Sequence, residues 1–152
     1  MIFPLSDDKR EFIIGYLADR FGVTAEAFDA YEWHISSKGR VFVTPHAAPI
    51  PQRATITGLQ IARLGLLVKP ATDFFQVFGA QVSRSRVALT ADQTKAYVAG
   101  ADLTSPDFER GGVTRGYVML TWRDEALACG FYADGVIRNM LPKEKWLTVR
   151  YL

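Results

Sequence analysis

An α+β chain in two parts is what the sequence predicts, a small leading α/β domain followed by a strand-rich closing one, and three observations carry that expectation. Apolar residues near the N-terminus recur at helical spacing between a capping serine and a glycine. Short β-branched and aromatic runs joined by tight turns come next. The stretch 116–146 then reads as two short strands around a charged turn, a hairpin tip at Asp134 and Gly135, and a third strand leaving through Pro142 and Lys143.

Ser6 ahead of Asp7 and Asp8 is a helix start, a hydroxyl cap with acids complementing the positive helix terminus. Phe12, Ile13, Tyr16, Leu17 and Phe21 follow as its core face, and Gly22 stops the run. Thr24 is expected to cap a second, shorter helix through Phe28. The run 31–37 is a strand by its aromatic and β-branched content, Lys38 and Gly39 make a turn, and 40–45 returns as a second strand. Pro45, Pro49 and Pro51 enclose an irregular loop that holds His46.

The run 54–65 reads as a strand passing into a short helix or a further strand. In 66–79 an apolar strand ends at Lys69 and Pro70, Thr72 caps a helix, and Phe74, Phe75 and Phe78 form its buried face. The seam falls at 83–85, giving domains 1–83 and 84–152. Thr90 caps the next helix with Gln93 three residues on, a capping-box spacing, and Gly100 ends it. The segment 105–116 reads as an exposed loop with Gly111 and Gly112 as its flexible point. In 116–122, Tyr117, Met119 and Thr121 fall on one face and Val118, Leu120 and Trp122 on the other. Ala126, Ala128, Cys129 and Gly130 leave room for another backbone or a ligand to come close.

With 152 residues, 49% hydrophobic and 22% charged, the composition is that of a globular chain and excludes wholesale disorder. The net charge of +2 does not by itself announce a polyanion-binding protein, but its distribution is uneven. From 33 to 91 the only acid is Asp73, against Lys38, Arg40, Arg53, Arg63, Lys69, Arg84 and Arg86. One cysteine, Cys129, excludes an internal disulfide and a multi-thiolate metal site, and is read as a small buried hydrophobe. His34 and His46, with no acid or thiol cluster around them, make no metal site. No apolar run approaches the roughly 20 residues of a membrane helix, and the first residues lack a signal-peptide pattern. A soluble cytoplasmic protein without a membrane role is expected. There is no glycine-rich phosphate loop and no clustered His/Cys/Asp set, so no enzymatic activity, metal or cofactor is expected either.

The closing half resembles a PUA domain, an RNA-binding module. The carriers are RVALTADQTKAYVAGADL (86–103), GYVMLTW (116–122), ACGFYADGVIRN (128–139) and LPK (141–143). In that order and spacing they are similar to the PUA-like C-terminal tail of Fmu/Sun-type RNA 5-methylcytosine methyltransferases. RFGV, KGRVFVTP and KPATDFFQVFG in the leading half resemble the first domain of small stand-alone archaeal PUA proteins. The resemblance implies a mixed β-barrel for 84–152 and an RNA groove bounded by 90–95, the turn 100–102 and the late strand 137–143. Gly100 would let a sugar-phosphate chain approach, Arg138 and Lys143 supply charge, and Asn139 meet a base edge or a 2′-hydroxyl. Lys95 lies on the same helix, and Lys69, Arg84, Arg86 and Lys145 would widen the basic strip. The chain departs from the methyltransferase tail at ACGFY, where that tail has Gly-Trp-Gly and a basic residue; Phe131 stands at the basic position.

The function expected on these grounds is a stand-alone RNA-binding adaptor in ribosomal or transfer RNA maturation, or ribosome biogenesis, holding structured RNA. An RNA-modifying enzyme or a ribosomal protein is the expected protein partner. The alternative is a protein-interaction subunit of such a complex, whose leading domain would expose Phe74, Phe75, Val77 and Phe78 as a docking patch.

Overall fold

The computed structural model describes residues 1–46 and 58–143. The chain divides into two compact units, Met1–Phe74 and Phe75–Leu152. Both combine helices with a sheet, so the α+β expectation holds.

The first unit is built on an antiparallel meander of β1 (Ile2–Pro4), β2 (Tyr31–Ser36), β3 (Arg40–Pro45), β4 (Leu59–Leu64) and β5 (Val68–Pro70), in that order. Helix α1 (Asp7–Phe21) is inserted between the first two strands. The Ser6 hydroxyl accepts from the Lys9 amide, and Gly22, at φ 72°, closes the helix by donating to the Ala18 carbonyl at 2.9 Å. Ile13, Leu17 and Phe21 are fully buried, a stripe of four-residue spacing. Phe12, expected in that core, is instead 57% exposed; one residue back from Ile13, it lies about 100° around the helix, beyond the stripe.

Thr24 does not cap. The segment after it is a 3₁₀ turn, Ala25–Phe28, and the Thr24 hydroxyl hydrogen-bonds the Glu26 side chain. The Glu26 backbone amide and that hydroxyl hold the Glu26 carboxyl below its ordinary value. Phe28 meets Trp33 edge-on at 5.2 Å and stacks with Phe74 at 6.4 Å between centroids. Both histidines have structural employment. His34 is buried with Nε2 3.3 Å from the Thr44 hydroxyl, and His46 lies 2.9 Å from the Asp29 carbonyl and 3.6 Å from the Glu32 carboxylate.

Pro49 and Pro51, with the rest of 47–57, lie outside the described residues. The strand β4 resolves the two alternatives left open for 54–65. Leu66 and Leu67, expected within a strand, form the exposed tip of the β4–β5 hairpin. Helix α2 (Thr72–Phe78) runs across the division between units and begins at the buried Thr72. Phe74, Phe75 and Phe78 are buried and only Val77 is exposed, so these residues form no docking patch.

The second unit holds a mixed, PUA-like sheet in the order β6 (Arg86–Ala88), β8 (Gly116–Trp122), β9 (Glu125–Ala133), β10 (Val136–Asn139) and β7 (Leu103–Thr104). β6 runs parallel to β8 and every other pair is antiparallel. A parallel pair needs a crossover, and α3 (Ala91–Val98), β7 and α4 (Pro106–Arg110) lie along it. The expected capping box is present: the Thr90 hydroxyl accepts from the Gln93 amide at 3.1 Å, and the Gln93 side chain accepts from the Thr90 amide at 2.9 Å.

Helix α4 corrects the loop expected for 105–116. Ser105 caps it, Pro106 opens it, and Phe108 is buried beside Tyr132. Both hairpins use two-residue turns with every φ positive, Arg123 (52°) with Asp124 (66°) and Asp134 (51°) with Gly135 (83°). The small residues of β9 accommodate the protein's own packing. A Cβ on Gly79 would come within 2.8 Å of Ala126 Cβ and 3.2 Å of Met119 Sδ. Among the described residues no helix is long and apolar enough to cross a membrane.

Candidate nucleic-acid interface

Tyr97, on the inner face of α3, is fully buried and reaches two strands. Its hydroxyl donates to the Cys129 carbonyl at 2.5 Å and accepts from the Met140 amide at 3.0 Å. Gly130 makes the space: a Cβ there would sit 2.6 Å from Ile137 Cγ2 and 3.2 Å from the Tyr97 hydroxyl oxygen. Burial pushes the Tyr97 hydroxyl well above the ordinary tyrosine value, so it stays neutral and donates.

From that anchor the end of β10 is tied to the turn after α3. The Asn139 amide donates to the Tyr97 carbonyl at 2.7 Å and to the Ala101 carbonyl at 2.9 Å. Its oxygen accepts from the Leu141 amide at 2.9 Å, and the Asn139 backbone N–H donates to the Asp102 carboxylate at 2.7 Å. Gly100 sits inside this frame at φ 103°, where a side chain would be strained. The resemblance implies a base edge or a 2′-hydroxyl as the partner of Asn139. In the structure both of its amide protons are engaged by main-chain carbonyls, which makes it a brace for the edge.

Arg138, next along β10, is exposed and lies directly opposite Phe131 on β9. The Arg115 guanidinium stands 5.7 Å from the Phe131 ring centroid, and Tyr117 meets that ring edge-on at 5.0 Å. The position where Phe131 replaces a basic residue is thus flanked by two arginines. Lys143 is exposed just beyond. Lys95, exposed in the last turn of α3, lines a cleft of about 200 Å³ with Ala91, Thr94, Trp122 and Arg123. There the Arg123 guanidinium lies 4.9 Å from the Trp122 ring.

Of the remaining expected residues, Arg84 and Arg86 stand at the other side of the sheet. Arg86 is exposed on β6 and donates to the Val82 carbonyl at 2.8 Å, and Arg84 is exposed two residues earlier. Lys69 belongs to β5 of the first unit, and Lys145 lies outside the described residues. Arg115, Trp122 and Arg123 escaped the sequence reading. The signal available for two of them was an aromatic followed at once by a basic residue in a turn. Among the described residues no group of three or more His, Cys, Asp or Glu is placed to hold a metal ion.

Residues 84–146 match the family model described as the Methyltransferase RsmF PUA domain. Over 151 residues the chain is 24% identical to the Ribosomal RNA small subunit methyltransferase F of Psychromonas ingrahamii, an alignment that covers 90% of this chain and 28% of that protein. The chain therefore spans 28% of the length of this relative. The closing part of the chain is a PUA domain resembling the C-terminal tail of Fmu/Sun-type methyltransferases.

Proposed function

We propose, from that PUA domain, that this chain is an RNA-binding adaptor without catalytic activity of its own. Its module 84–152 holds structured RNA, ribosomal or transfer RNA under maturation, and presents it to an RNA-modifying enzyme or a ribosomal protein. What supports this reading is that Asn139, the neighbour of the exposed Arg138, is hydrogen-bonded to Ala101 and Asp102 in the turn that follows Gly100.

Gly100 carries no side chain to hold a sugar-phosphate chain away, and Arg138, Lys143 and Lys95 supply positive charge along the edge and the helix that leads to it. Arg84 and Arg86, exposed at the β6 side of the same unit, add positive charge outside that edge. Phosphate contacts dominate such an edge, so affinity falls with salt and varies little with sequence. Phe131 and Trp122, each with an arginine at its ring, add faces on which an unpaired base can stack. Asn139 acts through the edge it holds in place.

Ultraviolet crosslinking of the chain in cell lysate, followed by sequencing of the bound RNA and mapping of the crosslinked peptides, tests the proposal. Ribosomal or transfer RNA joined to peptides from 90–102 and 131–143 is the expected result. Recovery of no RNA, or crosslinks confined to other peptides, contradicts it.

A further inference from the structure

We infer that the first unit carries a second RNA-backbone site, a ladder of three cations formed by Arg40, Arg63 and Lys69 across three adjacent strands. The inference rests on the RNA-binding reading above. In register, Arg40 on β3 lies opposite Arg63 on β4, and Arg63 lies opposite Lys69 on β5. Directly opposed residues of an antiparallel sheet share a face, with strands about 4.8 Å apart. All three side chains are exposed, and none makes an ion pair with a described residue. Lys38 joins them from the adjoining turn.

Like charges directly opposite one another destabilise a sheet, and here the backbone is arranged to produce them. Between Val41 and Phe42 the β3–β4 register shifts by one residue. Phe42 faces Gln60 and Val43 faces Leu59; carried on unchanged, that pairing would set Arg40 opposite Ala62. The bulge sets it opposite Arg63. Bulges that re-aim a side chain gather beside functional sites. The turn beside the ladder is fixed as well: the Leu64 amide donates to the Gly39 carbonyl at 2.8 Å, and a Cβ on Gly39, at φ 82°, would lie 2.6 Å from the Leu64 carbonyl oxygen.

Three closely spaced cations on one face, without an acid among them, match a closely charged phosphodiester chain. RNA is favoured over an anionic bilayer because the alignment to a ribosomal RNA methyltransferase covers 90% of the chain, this unit included. Leu66 and Leu67, exposed at the adjoining hairpin tip, are the feature a bilayer would use.

The test compares the full chain with the triple variant Arg40→Gln/Arg63→Gln/Lys69→Gln, and with Arg40→Lys/Arg63→Lys as the charge-preserving control. Affinity for structured RNA is titrated with salt, and Tm is measured without RNA. The triple variant is expected to bind roughly ten-fold or more weakly at low salt. Its log–log salt slope should be shallower by about 0.7–0.9 per lost phosphate contact, with Tm unchanged or raised, and the lysine control should bind normally. Unchanged affinity and slope in the triple variant, with Arg138→Ala/Lys143→Ala weakened, overturns the ladder and leaves the PUA edge standing. Loss in the triple variant with Arg138→Ala/Lys143→Ala intact supports the ladder and overturns the edge. Wild-type chain that binds no RNA, or that binds phosphatidylserine vesicles in its place, overturns the ladder.

Discussion

Asn139 and Tyr97 hold each other across the second unit. The Asn139 side chain donates to the Tyr97 main-chain carbonyl at 2.7 Å, and the Tyr97 hydroxyl accepts from the amide of Met140, the next residue after Asn139, at 3.0 Å. These two bonds join the end of β10 to the end of α3 and hold the residue after Arg138 close to the turn that contains Gly100. Asn139→Ala leaves two carbonyls without their donor and is expected to destabilise the chain by about 1–3 kcal/mol in chemical denaturation. RNA affinity should fall with it even though no charge is removed. Unchanged stability would show that the edge does not depend on this brace.

Tyr97 also sets an alkaline limit. Burial raises its folded-state pKa above the unfolded value of about 10. The folded chain then keeps the proton that the unfolded chain releases, so this contribution is complete below about pH 10 and is lost as pH rises beyond it. Tyr97→Phe should flatten the alkaline decline in Tm and lower stability near neutrality by about 1–3 kcal/mol through the unpaired Met140 amide. Tyr117, whose hydroxyl burial also raises, leaves a residual slope. An alkaline decline identical to wild type would refute the assignment to Tyr97.

Gly130→Ala tests the fit around that hydroxyl. The added methyl meets Ile137 at 2.6 Å and the Tyr97 hydroxyl oxygen at 3.2 Å, and overpacking of this kind costs roughly 1–3 kcal/mol. Thermal melts of the variant should shift down accordingly; an unshifted melt would mean that β9 and β10 yield freely.

The Arg123–Asp124 turn runs the other way. Arg123 rarely adopts the left-handed backbone it has here and Asp124 does so less readily than glycine, whereas Asn-Gly suits both positions. Arg123→Asn with Asp124→Gly should raise stability by roughly 0.5–1 kcal/mol, read by calorimetry, while removing the guanidinium from Trp122. Destabilisation would show that the Arg123–Trp122 stack outweighs the turn strain.

Much of the second unit was legible because its signals are local. Thr90 with Gln93 and Asp134 with Gly135 each declare themselves within a few residues, and Ser6 with Gly22 bounds the first helix of the other unit in the same way. Helix α4 was missed because Gly111 and Gly112 outweighed the cap at Ser105 and the proline after it. The bracing role of Asn139 is out of the sequence's reach because the carbonyls it serves, at Tyr97 and Ala101, are some forty residues away in sequence. Its amide looks the same there whether it serves a base or a backbone. The opposition of Arg40 and Arg63 was out of reach because it depends on a one-residue bulge, which no periodicity records.

The central claim is that Arg138 and Lys143, beside the Gly100 turn, neutralise RNA phosphates. It is tested most directly by a salt titration of structured-RNA binding to the wild-type chain and to Arg138→Ala/Lys143→Ala. The account predicts wild-type affinity that falls steeply with salt, and a double variant weaker on every RNA tried, with a slope shallower by about 1.4–1.8 for two lost contacts. A flat wild-type response, or a double variant that binds as tightly as wild type with the same slope, would contradict it.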